Sequence, residues 1–176
     1  GTADQKKFYT ANIGSDTGSA IELPPLVAPQ RPITHIPVGK QPEAIDLSPD
    51  GKEVWIGLNA EGMAEDVDVV GYKSAAKINI GGRPYRVKFT PDGKSVVCTM
   101  NATKELLIID AATRKETKRI KLESGPMGIV FSADGKTAFV TAVGPDIVLK
   151  IDLESGKVTG SVQTGKVPDG VAVAGT

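Results

Sequence analysis

The chain of 176 residues carries 21 basic and 21 acidic side chains, so it has no formal net charge, and nothing in this balance favours nucleic acid or an anionic membrane as its partner. With 40% hydrophobic residues, 20 glycines and 12 prolines, it can bury a core but has too much turn chemistry for a helical bundle, which favours a soluble all-β class. No apolar run approaches the roughly 18 residues that span a bilayer, and the first ten residues lack the apolar core of a signal peptide.

The first segment, residues 1–38, predicts three strands of an incomplete repeat. Lys6 to Asn12 and Ser19 to Leu23 match the second and third strands of the units that follow. Leu23 to Pro32 is a proline-rich insertion, which we expect to be an exposed excursion because proline cannot pair within a central strand. Ile33 to Val38 predicts a fourth, outer strand with Pro37 at an edge.

A unit of 42 residues then recurs, with Pro42, Pro84, Pro126 and Pro168 in step. After each proline, apolar residues alternate as in a half-buried strand. A tight turn follows, such as Ser-Pro-Asp-Gly at residues 48–51, in which proline presets one dihedral angle and glycine accepts the last conformation. A second apolar strand then runs back. This internal repeat predicts full units at 39–80, 81–122 and 123–164.

The second half of each unit predicts a third strand that ends in aspartate and an outer fourth strand. Asp110 and Asp152 end the third strands of the later two units, whereas the first unit is interpreted as having Gly71 at this place. The chain closes on residues 165–176, in which Gly170 to Ala174 predicts a lone inner strand.

Four antiparallel strands per unit are typical of a blade of a β-propeller. We therefore predict one all-β propeller domain with about four blades. Because the chain begins without an inner strand and ends with only an inner strand, we expect Val171 and Val173 to pair beside Phe8 to Asn12, within the chain or with another copy.

The motif G-x-x-P-x-x-(I/V)-x-(F/L)-S-(P/A)-D-G-K, followed by strands such as Phe8-Tyr9-Thr10-Ala11-Asn12 and ends such as Ile151-Asp152, resembles the YVTN-type propeller repeats. This resemblance implies a bacterial or archaeal surface-layer, secreted or periplasmic protein. It specifies the fold closely and the function loosely, because scaffold residues define the family. Rings of this family have seven blades or so, which implies here a partial ring, a half-ring completed by another copy as a homo-oligomer, or a small ring.

Ligands of propellers usually bind where the inner-strand connections meet around the central channel. The residue types at these connections predict a site for a protein or a small anionic ligand, formed by Lys40, Glu43, Arg83, Tyr85, Arg86, Lys166 and Asp169, with Met127, Asn12, Asn59 and Asn101 nearby. Arg83 and Arg86 flank Tyr85 and could clamp a carboxylate or phosphate with paired hydrogen bonds. Alternatively, the two arginines are solvated or pair with Glu43 and Asp169.

The acidic stretch of Glu61, Glu65, Asp66 and Asp68 raises the hypothesis of calcium binding, but it lacks the D-x-D-x-D-G spacing, which favours a solvated loop. His35 and Cys98 are the only histidine and cysteine, so a zinc or copper site would need a second chain. We expect a surface position for His35 and a buried, unreactive Cys98. The sequence thus predicts no metal and no cofactor.

No catalytic residues are predicted, because the chain lacks a G-x-S-x-G elbow and a glycine-rich phosphate loop. A modest basic cluster, Lys115, Lys118, Arg119 and Lys121, is interpreted as a solvated edge strand. The function predicted is a non-catalytic scaffold or binding module. The alternative is an enzyme, because related propellers include lactone hydrolases and subunits of haem or quinone oxidoreductases.

Two further expectations come from comparing equivalent positions of the repeat. Trp55 stands where Val97 and Phe139 stand in later units, so we expect its indole to be buried between blades. Asp46 and Lys88 are equivalent residues of consecutive inner strands, and we expect them to form a partly buried ion pair.

Overall fold

The computed structural model describes residues 1–2, 4–23 and 32–174, and all of its regular elements are strands. Most of the predicted insertion, residues 24–31, lies outside the described residues. Among the described residues, no helix is long and apolar enough to cross a membrane. The strands are β1 (Lys7–Asn12), β2 (Thr17–Glu22), β3 (Ile33–Pro37), β4 (Pro42–Leu47), β5 (Glu53–Leu58), β6 (Met63–Asp68), β7 (Lys73–Asn79), β8 (Arg86–Phe89), β9 (Ser95–Met100), β10 (Glu105–Asp110), β11 (Lys115–Lys121), β12 (Gly125–Phe131), β13 (Thr137–Val143), β14 (Ile147–Asp152) and β15 (Lys157–Gln163).

The strands form four antiparallel sheets that follow one another along the chain without crossovers. The first sheet contains β1–β3, and the next three sheets contain β4–β7, β8–β11 and β12–β15. Short turns join neighbouring strands, which is the arrangement of propeller blades. The prediction of an all-β propeller with four-stranded antiparallel blades is confirmed for these three sheets, and the first sheet has the three strands expected of it.

The core lies between sheets. One cluster of buried side chains joins the first and second sheets, one joins the second and third, and one joins the third and fourth. Trp55 on β5 is fully buried at the second of these junctions. Its ring packs edge to face against that of Phe89 in the third sheet, with 6.0 Å between the ring centroids. The expectation that Trp55 packs between blades is therefore confirmed.

The turns between first and second strands repeat one hydrogen-bond arrangement. In the turn after β8, the Thr90 hydroxyl donates to Asp92 at 2.7 Å, and the backbone N–H of Lys94 donates to the same carboxylate oxygen at 3.0 Å. These bonds hold the pKa of Asp92 below its usual range. Gly93 in this turn has φ +70° and faces Pro49 of the preceding sheet, so the turns also stack on one another.

The aspartate that ends the third strand is Asp68 in the second sheet, and the interpretation of Gly71 as its replacement was wrong. Asp68, Asp110 and Asp152 are separated by 42 residues each and end β6, β10 and β14. Each carboxylate accepts from a backbone N–H three residues later, which for Asp68 is that of Gly71. Gly71 therefore occupies the place of Thr113 and Ser155 in the turn that follows.

The predicted closing strand is not formed. Residues 164–174 lie outside the strands, and their expected pairing with Phe8 to Asn12 is absent from the described sheets. A strand needs a hydrogen-bonded neighbour, and this segment instead touches the last sheet through side chains and single backbone groups, such as the Thr141 hydroxyl donating to the Asp169 carbonyl at 2.8 Å. The described sheets do not close into a ring.

A buried ion pair ties the second and third sheets together. Asp66 on β6 is fully buried, and its Oδ2 accepts from Arg114 Nη2 at 2.6 Å and Nε at 3.0 Å. Arg114 also reaches Glu53 at 2.9 Å, and Glu53 in turn accepts from the Trp55 indole N–H at 3.3 Å. Burial raises the pKa of Asp66, and the Arg114 guanidinium opposes that rise.

We expect Arg114→Met to destabilise the protein by about 3 kcal/mol, because it leaves the buried Asp66 charge without its partner. The folded-state pKa of Asp66 would then rise further above its unfolded value. A carboxyl group whose pKa is higher in the folded than in the unfolded protein lowers the free energy of unfolding. This effect is complete above the folded-state pKa and vanishes below the unfolded-state pKa. The deficit measured by urea unfolding should therefore shrink as the pH falls from 7 toward the unfolded pKa of about 4. Lys115→Met, which removes an exposed neighbouring charge, is the control, and an equal loss in both variants would contradict this role.

Trp55→Ala should cost about 3 kcal/mol or more, because it opens a cavity between two sheets. Trp55→Phe should retain most of the stability and lose mainly the hydrogen bond to Glu53. Thermal unfolding monitored by circular dichroism gives both values. The native protein should show blue-shifted indole fluorescence that acrylamide quenches slowly, and free quenching would rule out burial.

Candidate functional site: the connection face

Two sets of connections emerge at the same end of the sheets. Because neighbouring strands are antiparallel, the connections that enter each inner strand lie beside those that join its second and third strands. We call this end the connection face, and it consists of residues 13–16, 38–41, 59–62, 80–85, 101–104, 122–124, 144–146 and 164–168. Six of the seven residues predicted for the ligand site lie in it or at the adjoining starts of inner strands, and Asp169 directly follows its last segment.

Glu43 and Arg83 form the first of three groups on this face. The Glu43 carboxylate accepts from the Asn59 side chain and, at 3.5 Å, from Arg83 Nη2 on the next sheet. The Arg83 side chain is 64% exposed, so this contact holds it weakly. Arg83, Tyr85, Asn101 and Ala102 line a cavity of about 280 Å³ beside it.

Tyr85, Arg86 and Asp169 form the second group. The Arg86 guanidinium stacks over the Tyr85 ring at 4.4 Å from its centroid and donates to Asp169 at 2.9 Å. This contact joins the inner strand of the third sheet to the segment that follows the fourth. Burial, and then the nearby Asp169 carboxylate, raise the pKa of Tyr85, so its phenol stays protonated and can donate a hydrogen bond at neutral pH.

Lys40 belongs to a third group, at the junction of the first two sheets. Its ammonium contacts Asp16 at 2.8 Å, which raises the pKa of Lys40 and lowers that of Asp16. Its backbone N–H donates to Glu61, which also contacts Lys77 at 3.1 Å. Lys166 lies exposed in the last connection.

The structure thus distributes six of the seven predicted residues over three ion-paired groups and does not gather them into one pocket. The arginines take the positions of the alternative interpretation, in which Arg83 pairs with Glu43 and Arg86 pairs with Asp169. Sequence reasoning missed Asp16, although its place between second and third strands matches that of Asp146 in the fourth sheet and could have indicated it. Asn101, noted at the start of its loop, is the polar residue that completes the cavity beside Arg83.

The acidic stretch is not a cluster in space. Glu61 contacts Lys40 and Lys77, buried Glu65 accepts from the Gly39 backbone at 2.8 Å, Asp66 binds Arg114, and Asp68 closes its own turn. Alternation along β6 sends adjacent carboxylates to opposite faces of the sheet. Within residues 1–2, 4–23 and 32–174, no group of three or more His, Cys, Asp or Glu side chains is placed to hold a metal ion.

The lone cysteine and histidine lie where the sequence indicated. Cys98 is fully buried, which raises the pKa of its thiol to about 12, so the reactive thiolate is not populated at neutral pH. His35 lies exposed on the outer strand β3, where its ring nitrogen contacts the Ser19 hydroxyl at 3.0 Å.

Asp46 and Lys88 form the predicted ion pair between consecutive inner strands. Lys88 Nζ lies 3.0 Å from Asp46 Oδ1, and the other carboxylate oxygen accepts from the Phe89 backbone N–H at 2.9 Å. The Asp46 side chain is 18% exposed and that of Lys88 is 43% exposed. The expectation of a partly buried pair is confirmed, and with it the order of adjacent blades.

A double-mutant cycle measures this pair. Asp46→Asn keeps an acceptor for the Phe89 N–H while it removes the charge, and Lys88→Met removes the ammonium. Because Lys88 is partly solvated, we expect a coupling of about 0.5 kcal/mol in urea unfolding at low salt, which decreases as salt is added. A coupling below about 0.3 kcal/mol would show that the two charges are solvated independently.

Comparison with known proteins supports the fold. No family model and no curated protein matches the chain. Among solved structures, a chain titled "Kuenenia stuttgartiensis Hydrazine Synthase" matches with a TM-score of 0.81 and 24% identity, over 91% of this chain and 46% of that chain. The present chain therefore spans about half the length of that protein. At this identity the likeness shows the fold alone.

Proposed function

We propose that this chain is a non-catalytic binding module of the propeller fold, of the YVTN type, that binds a protein or a small anionic ligand at its connection face. The observation that carries the proposal is the cavity beside Arg83. Its walls present the exposed Arg83 guanidinium and the Tyr85 phenol, which can donate hydrogen bonds, whereas the Asn101 amide N–H group already donates to the Pro126 carbonyl and the Met127 sulfur.

Arg83 is the best candidate for anion binding because its only described carboxylate contact is long and solvated. An incoming carboxylate or phosphate could form paired hydrogen bonds with the guanidinium and displace Glu43 at little cost. Arg86 is less available, since Asp169 and the Tyr85 ring both hold it. We assign it the role of positioning Tyr85 at the edge of the cavity.

The proposed location is the periplasm, the cell surface or the extracellular medium. The support is the resemblance of the repeat to the YVTN type, which occurs in proteins of those compartments. A buried cysteine with a raised pKa is compatible with an oxidising environment as well as a reducing one.

The binding proposal is tested by titrating the protein with citrate and with inorganic phosphate, each followed by isothermal calorimetry and thermal shift. We expect one of these anions to stabilise the native protein, and Arg83→Gln to weaken its binding at least tenfold. Lys94→Gln, which removes an exposed charge at the opposite end of the sheets, should bind as the native protein does. Equal binding by the two variants, or no stabilisation by either anion, would refute an anion site at Arg83.

A second candidate function is an oxidoreductase-associated propeller. The observation that favours it is the structural likeness to a chain of hydrazine synthase. In that case the connection face would contact another protein of an enzyme assembly, and small anions would bind weakly or not at all. A lactonase-like hydrolase is the other enzyme considered. Thermal shift in the presence of calcium or a lactone tests it directly.

A further inference from the structure

An apolar cleft opens between the third and fourth sheets, beside the connection face. It has a volume of about 370 Å³ and is lined by Glu123, Ser124, Pro145, Ile147, Leu149 and Val158. Ile147 and Leu149 alternate along β14 and pack against the buried cluster of this junction. Val158 on β15 stands on the same face of the sheet as these residues but is 49% exposed. Both walls of the cleft therefore belong to described sheets, and aliphatic side chains form most of its surface.

Between the second and third sheets, an arginine occupies the equivalent place. Arg119 on β11 stands opposite Leu107, on the face that packs against the second sheet. Its guanidinium contacts Glu105 at 3.2 Å and Glu116 at 2.9 Å. Nη2 also donates to the Ile80 carbonyl of the preceding connection at 2.8 Å. The arginine thus lies along the apolar wall and closes this junction with its charged end.

One repeat later, smaller or apolar residues replace the members of this arrangement. The equivalents, 42 residues apart, are Glu105 and Ile147, Glu116 and Val158, Arg119 and Ser161, and Ile80 and Leu122. Ser161 stands opposite Leu149 on the same face of the sheet, as Arg119 stands opposite Leu107. A serine side chain is too short to cover the wall as the arginine does. The cleft is therefore the space that an arginine fills at the preceding junction.

The junction between the first and second sheets also has a basic side chain at this place. Lys77 on β7 is the equivalent of Arg119, and its ammonium contacts Glu61 at 3.1 Å. Glu65 stands opposite Lys77 and accepts from the Gly39 backbone N–H at 2.8 Å. Two of the three described junctions thus hold a cationic side chain, and the third holds serine.

The cleft retains acceptors for a cation at one end. The Leu122 carbonyl stands at the place of the Ile80 carbonyl, to which the Arg119 guanidinium donates. Glu123, the next residue, is exposed and lines the cleft. A carbonyl oxygen and an ionised carboxylate accept hydrogen bonds and cannot donate them. This end of the cleft therefore favours a cationic donor and disfavours an anion.

We propose that this cleft binds a small organic cation with an apolar body, of the arylalkylamine class. The apolar body packs against Ile147, Leu149 and Val158, and the ammonium group donates to the Leu122 carbonyl and the Glu123 carboxylate. The volume lies within the roughly 300–1,000 Å³ of small-ligand pockets. This site goes beyond the proposed anion site, because it is lined by other residues and selects the opposite charge.

NMR titration of the isotope-labelled native protein at pH 7 tests the ligand class. The probes are phenethylamine, which is protonated at this pH, and phenethyl alcohol, which has the same apolar body without the charge. We expect phenethylamine to shift the amide signals of Ile147, Leu149 and Val158. It should bind about fivefold more tightly than the alcohol, as an ion pair at a partly exposed rim allows. The absence of these shifts, or equal affinity for both probes, would overturn the proposal.

Filling the cleft from within tests its location. Ser161→Arg supplies the side chain that the third sheet has at this place, and it should weaken the binding of both probes at least tenfold. Ser161→Ala alters the same exposed position without filling the cleft, and it should bind both probes as the native protein does. Equal binding by the two variants would locate the ligand elsewhere and refute the site.

Glu123→Gln tests the selection for a cation and needs no change within a strand. We expect the affinity for phenethylamine to fall to that for phenethyl alcohol, while the affinity for the alcohol stays unchanged. An equal loss for both probes, or no loss for either, would refute the role of the carboxylate. Anion binding at Arg83 enters none of these outcomes, so the two proposals can fail separately.

Discussion

The packing of each sheet face against the next sheet is the constraint on which the rest of the structure depends. A single four-stranded sheet cannot bury its own apolar side chains, so every blade depends on contact with a neighbouring sheet. The strands at the centre of the inner sheets show this directly. In β5, β9 and β10 nearly every residue is buried, because both faces of the sheet are covered. The first and last sheets have one such partner each, and β15 is exposed along its whole length.

This dependence explains how much the sequence could predict. A period of 42 residues places the same strand and turn in every blade. Equivalent positions of the repeat therefore predicted the strand positions, the burial of Trp55 and the ion pair of Asp46 and Lys88. The assignment of Gly71 was wrong because the 42-residue period leads from Asp110 back to Asp68, which ends β6 three residues before Gly71. Residues 168–174 continue the repeat of the inner strands, but pairing needs a partner edge, and no local sequence pattern shows whether one is available.

The contacts that sequence reasoning missed lie where the repeats differ from one another. Arg114 is equivalent to Tyr72 and Gly156, and Asp66 is equivalent to Ile108 and Lys150, so this buried pair exists at one junction only. Its formation depends on a turn residue with φ 57° that aims the guanidinium back at the preceding sheet. The ion pairs of the connection face have the same character. Residues shared by the repeats build the blades, whereas residues that differ determine which charges meet at each junction and are the ones that can make a binding face specific.

Side chains at equivalent positions of the repeat differ in exposure according to whether a described sheet covers them. Val54 of the second sheet is buried against the first sheet, whereas Phe8, its equivalent in the first sheet, is 40% exposed. At the other junction, Ile120 is buried at 4% beneath the fourth sheet, whereas Val162, its equivalent one repeat later, is 69% exposed. All four residues are apolar, so the contact with a neighbouring sheet determines their burial and the residue type does not.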